Sequence, residues 1–159
     1  KIAAIDRADE KLGRARQLGA THTVNATDPN HVEQVRDITN GGVDFAFDLA
    51  GTIKAMETAY NVTRYGGSVV TAGLSPSSAN FSFNQSNLVS QEKSIRGSYM
   101  GSCVPVRDIP RFIDLYRQGR LPVDRLVDRT IGFGEINTAF DRLQSNATVR
   151  QILVPHGTA

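Results

Sequence analysis

Apolar and polar positions fall in short blocks along the chain, and the blocks have an order. Residues 1–6, Lys1-Ile2-Ala3-Ala4-Ile5-Asp6, are a brief apolar run closed by an acid, the pattern of a strand buried in a parallel sheet. Residues 8–18 are rich in Ala, Arg, Lys, Glu and Leu and predict a helix that stops at Gly19. Thr21 to Val24 predicts a short strand. His31 to Ile38 predicts a helix with Val32, Val35 and Ile38 on one side, ended by Asn40-Gly41-Gly42. Val43 to Leu49, with two Phe, predicts a strand broken at Gly51. Lys54 to Val62 repeats Met56, Ala59 and Tyr60 at helical spacing. Tyr65-Gly66-Gly67 predicts a turn, and Ser68 to Ala72 a third apolar strand ending at Gly73. Strands alternating with helices through short links predict an α/β chain whose parallel sheet is wrapped by helices.

Beyond residue 75 the pattern thins. Residues 75–92 are polar and predict loop, with a short strand at Phe81-Ser82-Phe83. Ser94 to Met100 predicts another strand, Ile109 to Arg117 a helix with Phe112, Ile113 and Tyr116 on a common face, and Ile136 to Leu143 the last helix. Ile152 to Val154 predicts a terminal strand. No internal repeat or low-complexity tract interrupts the order.

Composition narrows the function classes. The 159 residues suffice for a domain with a core, and 40% hydrophobic with 21% charged content is ordinary globular usage. A net charge of +2 without a basic block argues against nucleic acid, and no apolar run approaches membrane-spanning length. The single cysteine, Cys103, excludes an internal disulfide. Asn-x-Ser/Thr triplets at Asn25, Asn61, Asn80, Asn84 and Asn146 read as chance in a polar chain without a secretion signal, so the expected compartment is the cytoplasm. The chain opens inside a strand-like run without an initiator Met, which reads as an excised piece of a longer protein.

The first candidate for chemistry is Asp6. An acid that closes the first strand and precedes a helix can accept hydrogen bonds from both hydroxyls of an adenosine ribose, and its charge opposes a 2′-phosphate. The same residue can serve as a helix cap, and Arg7 beside it could instead receive a phosphate. The Gly-rich turn that normally lies about 20 residues before such an acid is not in the sequence.

Five segments in order carry a resemblance. They are Asp6…Glu10-Lys11…Ala15…Leu18-Gly19-Ala20-Thr21; Gly41-Gly42-Val43-Asp44-Phe45-Ala46-Phe47-Asp48…Gly51; Gly66 to Gly73; Gly97 to Ser102; and Glu135-Ile136-Asn137…Ala139-Phe140-Asp141…Val149 to Val154. Together they resemble the zinc-containing medium-chain alcohol dehydrogenases over essentially the whole chain. The resemblance implies a Rossmann-like, doubly wound parallel sheet that lacks its first strand and Gly-rich turn. It implies a truncated NAD-binding domain at 1–99 and a segment at 100–159 that returns to the catalytic domain. It gives Asp6 the adenosine ribose with Lys11 near it, and lines the nucleotide groove with Leu49, Ala50 and Gly51. It gives the backbone of Ala72, Ser98 and Met100 the nicotinamide carboxamide, with Gly73 beside Ala72, and Arg150 the pyrophosphate.

The same resemblance implies hydride transfer between an alcohol and NAD, with a catalytic zinc polarising the oxygen. Cys103, His22, His31 and His156 are not clustered at ligand spacing. The zinc ligands and the proton relay are therefore expected in a missing N-terminal part, and this chain alone is expected to be inactive. Small alcohols or aldehydes are the implied substrates, and Ser75, Tyr99 and Met100 are the candidates for a pocket border. A homodimer or higher oligomer is implied, with Phe81–Phe83 or Ser94–Met100 as candidate interfaces. Without its first strand the sheet is expected to close the gap, pair with another copy, or be marginal. Two other readings stay open: a zinc-free NADPH quinone or enoyl reductase, against which Asp6 argues, and a nucleotide-binding or assembly module without catalysis.

Overall fold

A computed structural model of the chain describes residues 1–145 and 147–156, so Asn146 of the last triplet lies outside the described residues. The chain separates into two compact units, Lys1–Ser102 and Cys103–Ala159.

In the first unit the predicted alternation is present. The elements run β1 (Ala3–Asp6), α1 (Asp9–Gln17), β2 (His22–Asn25), α2 (His31–Thr39), β3 (Val43–Asp48), α3 (Ile53–Val62), β4 (Thr63–Thr71), α4 (Gln85–Ser90) and β5 (Ser94–Gly97). Every ladder is parallel: β1 with β2, β3 with β4, and β4 with β5. The order β3-β4-β5 and the pair β1-β2 form separate sheets, and among the described residues no ladder joins them. The expectation that the sheet closes its own gap is therefore not met: among the described residues β1 and β3 each pair on one side only.

One core spans both sheets. Val24, Val35, Ala46, Met56, Ala59, Tyr60, Val62 and Val69 are buried together, with Ile5, Val32, Ile38 and Ile95 packed against them. Among them, Val32, Val35 and Ile38 of α2 and Met56, Ala59 and Tyr60 of α3 are the inward positions those helices repeat at helical spacing. Leu12, the buried residue of α1, lies outside that cluster, as expected for a helix on the other face of a doubly wound sheet. Period 2 along β3 sends Ala46 and Asp48 inward and leaves Phe45 and Phe47 63% and 66% exposed.

Four local expectations are corrected. Tyr65-Gly66-Gly67 is not a free turn: it lies within β4 as an irregularity, because the register with β3 shifts between Val43↔Thr63 and Phe45↔Ser68. Phe81-Ser82-Phe83 is not a strand; its rings pack on Tyr60 and on each other at 5.9–6.3 Å. The polar stretch that predicted loop contains α4, whose N-cap Asn84 accepts the Asn87 N–H. The strand expected to run to Met100 ends at Gly97.

The second unit holds α5 (Pro105–Arg117), β6 (Arg129–Ile131), α6 (Ile136–Gln144) and β7 (Gln151–Leu153), with β6 and β7 parallel. Helix α5 starts four residues earlier than the periodicity predicts, with Pro105 in its first turn, where the missing N–H has no helical partner to lose. The three-residue β6 was not predicted at all. No helix among the described residues is long and apolar enough to cross a membrane.

Candidate functional site

In parallel α/β sheets ligands bind beyond the carboxyl ends of the strands. Five such ends lie in the first unit, and those of β1, β3, β4 and β5 carry or adjoin the candidate site residues singled out by the sequence.

At the end of β1, Asp6 is half-buried. Its Oδ1 accepts the Ala8 N–H at 2.9 Å. The N-cap of α1 is Ala8, with no side-chain cap, so Asp6 shapes the turn before the helix and does not cap it. No side chain of the described residues donates to Asp6 Oδ2, which leaves an acceptor at the strand end. Asp9 begins α1 and accepts Asn25 Nδ2 at 2.6 Å, so a second carboxylate stands nearby. Arg7 is exposed, and Lys11 is half-buried in the first turn of α1.

The ends of β3 and β4 are locked together. Asp48 is 5% exposed. Its Oδ2 accepts the Thr71 hydroxyl at 2.9 Å and its Oδ1 the Ala50 N–H at 3.1 Å. Its carbonyl takes the N–H groups of Ala72 and Gly73. The two turns approach so closely that only glycine fits: a Cβ on Gly73 would stand 2.2 Å from Gly51 N, and Gly51 itself has φ +66°. Ser75 Oγ donates to Gly51 O, which ties the chain after β4 back to the turn after β3. Leu49 and Ala50 are exposed beside this lock, and Ala72 is half-buried.

After β5 the backbone turns left-handed. Ser98 N–H donates to Thr71 O at 2.9 Å, fixing the exit of the strand. Met100 (φ 49°), Gly101 (φ 68°) and Ser102 (φ 55°) follow in the left-handed region. For each non-glycine residue there the cost is about 1–2 kcal/mol. Such strain persists where surrounding contacts hold it, and it clusters at ligand sites. Here the Ser98 and Ser102 hydroxyls meet at 3.1 Å across the turn.

Arg150 belongs to the second unit. It is exposed and lies one residue before β7. Two acids with organising roles were not singled out by sequence reasoning, Asp48 and Asp128. Asp48 had the same signal as Asp6, an acid closing an apolar strand. Asp128 had none, because its partners lie 20 or more positions away.

Among the described residues no three His, Cys, Asp or Glu come together to hold a metal ion. His31 is engaged by Asp28 O and Thr58 Oγ1, His22 meets its neighbour Thr21, and Cys103 is a half-buried thiol.

Comparison with known proteins gives one answer throughout. Residues 1–118 match the family model described as zinc-binding dehydrogenase. Alcohol dehydrogenase 1 of Oryza sativa subsp. indica is 33% identical over 156 residues, covering 96% of this chain and 41% of that protein. The crystal structure of benzyl alcohol dehydrogenase from Acinetobacter calcoaceticus superposes with a TM-score of 0.92 at 31% identity, covering 97% of this chain and 42% of that one. An alcohol dehydrogenase zinc-binding domain protein from Burkholderia ambifaria does so with a TM-score of 0.92 at 32% identity, over 98% and 42%. The chain thus spans about two fifths of the length of the relatives it matches.

Proposed function

The chain belongs to the zinc-binding dehydrogenase family, and from that premise we propose that it is the cofactor-side part of an NAD-dependent, zinc-type alcohol dehydrogenase. The observation that carries the reading is Asp6: a carboxylate at the end of a parallel strand with one oxygen used by the turn and the other left as an acceptor. Two ribose hydroxyls can donate to such a group, and a 2′-phosphate would meet its charge and that of Asp9.

The remaining roles follow the strand ends. Residues 1–99 are the cofactor domain and 100–159 the return to the catalytic domain. Lys11 lies near the ribose. Ala50 and Gly51 line the groove, where the absence of a side chain on Gly51 and Gly73 lets the backbone approach a ligand closely. The backbone of Ala72, Ser98 and Met100 orients the carboxamide, with the left-handed turn at Met100 fixing where its groups aim. Arg150 supplies a guanidinium for the diphosphate, a pairing suited to its planar fork. When bound, the nicotinamide accepts or donates the hydride. This chain's residues bind and orient it. The substrate is a small alcohol or aldehyde, the assembly a homo-oligomer, and the compartment the cytoplasm.

The test is to assay the complete enzyme with NAD and NADP against short alcohols and to measure its metal content. Zinc at a stoichiometric level and NAD-linked oxidation support the reading. Metal-free, NADPH-linked reduction would replace it with a quinone or enoyl reductase. Nucleotide binding without turnover would replace it with a binding module.

A further inference from the structure

We propose that Asn40 is a site of spontaneous covalent modification, where the side-chain amide is lost by deamidation at a rate set by how often the C-terminal cap of α2 opens. Asn40-Gly41 is the one Asn-Gly pair in the sequence, and every other Asn precedes a residue with a side chain. The reaction favours that pair, because glycine leaves the approach of its own nitrogen unobstructed. The backbone nitrogen of Gly41 attacks Cγ of Asn40 and a C–N bond forms. The amide nitrogen departs with the displaced proton as ammonia, and a cyclic succinimide remains. Water then opens the ring at either carbonyl. One product is Asp, and the other is an isoaspartyl link in which the main chain runs through Cβ. Nothing is oxidised or reduced, and water is the only co-reactant.

The fold presents both residues and restrains the nucleophile. Asn40 has φ 58° and ψ 55°, the left-handed cap conformation that Asn tolerates better than most residues, and Gly41 follows at φ 106°. Both are exposed, and among the described residues the Asn40 side-chain amide makes no hydrogen bond. Gly41 N–H, however, donates to Arg36 O at 2.8 Å and closes the last turn. A nitrogen whose proton is held in that bond cannot attack. The neighbouring bond, from Asn40 N–H to Asp37 O at 3.3 Å, is long, and terminal turns fray at low free energy. The cap is thus a gate that opens without global unfolding. Passing it has a structural consequence. Gly42 is buried so close to the junction of α3 and β4 that a Cβ on it would stand 2.7 Å from Val62 O and 2.8 Å from Arg64 N. An isoaspartyl link lengthens the main chain just before this contact. Either product also puts a carboxylate at the helix end, where the macrodipole opposes it.

The experiment ages the complete enzyme, folded and in urea, and follows it by tryptic mass mapping. Cleavage after Arg36 and after Lys54 releases the fragment 37–54, in which Asn40 is the only side-chain amide. The mass gain of amide-to-acid conversion in that fragment therefore reports this site alone, and an enzyme that methylates isoaspartate tells the two products apart. In urea the site should convert ahead of every other Asn. In the folded enzyme it should convert more slowly, by the factor that protects the Gly41 amide from hydrogen exchange, with the two factors agreeing within about threefold. Asn40→Gly keeps the left-handed cap and removes the amide. That variant should hold its thermal midpoint through the same ageing, while the wild type loses midpoint in step with conversion. An Asn40 that survives in the folded enzyme while other asparagines convert would overturn the proposal. Equal rates folded and in urea would overturn the gate. A fully converted wild type as stable as aged Asn40→Gly would overturn the consequence drawn from Gly42.

Discussion

Two aspartates close two parallel strands of the first unit, and they are spent differently. Asp48, at the end of β3, is buried, and both carboxylate oxygens are used inside the fold, by Thr71 and Ala50. Asp6, at the end of β1, is half-buried, and among the described residues one oxygen alone is used, by the Ala8 N–H. The position is the same, but one acid ties two turns together and the other keeps an oxygen that no described residue takes. An acid at a strand end is thus a site candidate only when its oxygens are not already spoken for. The contrast also explains the surroundings: the turns beside Asp48 are packed backbone to backbone, whereas Asp6 opens onto exposed Arg7 and the first turn of α1.

The severest way to break the Asp48 side is Gly73→Ala. The new Cβ would meet Gly51 N at 2.2 Å, backbone against backbone, and the turns that Asp48 joins would have to part. A loss of more than about 3 kcal/mol is expected in urea unfolding. Asp48→Ala comes next. It leaves the half-buried Thr71 hydroxyl and the Ala50 N–H without their acceptor, at about 2–4 kcal/mol for the two, again read from urea midpoints. Asp6→Ala sharpens the comparison from the other side. It removes one hydrogen bond from a half-buried turn, so stability should fall by about 1 kcal/mol or less. A loss as large as that of Asp48→Ala would mean that Asp6 is structural.

The smallest effect concerns a third aspartate, Asp108 in the second unit, which is fully spent in another way. Arg107 donates to both its oxygens and the Val104 N–H adds a third bond. The Arg107 hydrogen bond, first among the causes, and the Val104 N–H bring its carboxyl from the ordinary 3.8 to about 2. A carboxyl depressed on folding stabilises above its unfolded pKa. Its contribution should thus be whole above about pH 4 and fade as pH falls towards 2. Asp108→Asn should flatten that part of an acid titration followed by circular dichroism, and an unchanged slope would deny the pairing.

Much of the fold was legible because buried parallel strands are contiguous apolar runs and their helices repeat at 3.6. Val43 to Asp48 and the stripe Met56, Ala59, Tyr60 needed nothing more. The rest was hidden for physical reasons. Helix α4 has six residues, Gln85 to Ser90, too few for its periodicity to register, and its Asn84 cap is indistinguishable from loop chemistry. Strand β6 has three residues and owes its existence to β7, over 20 positions away. Gly66 and Gly67 signal a bend correctly, but whether a bend is a turn or a bulge depends on the partner strand. At the site, the place of Asp6 was readable, while the count of its free oxygens was not. The role of Arg150 came from the resemblance alone, and the bond from its N–H to Asp128 exists only in three dimensions.

The central claim is that Asp6 selects an unphosphorylated adenosine ribose. Its most direct test is fluorescence titration of NADH and NADPH against the complete enzyme, wild type and Asp6→Ala. The account predicts that wild type prefers NADH by about a hundredfold or more, and that the substitution closes the gap by about tenfold or more from both directions, weakening NADH and admitting NADPH. Equal affinity of the wild type for the two cofactors, or a preference untouched by Asp6→Ala, would contradict it.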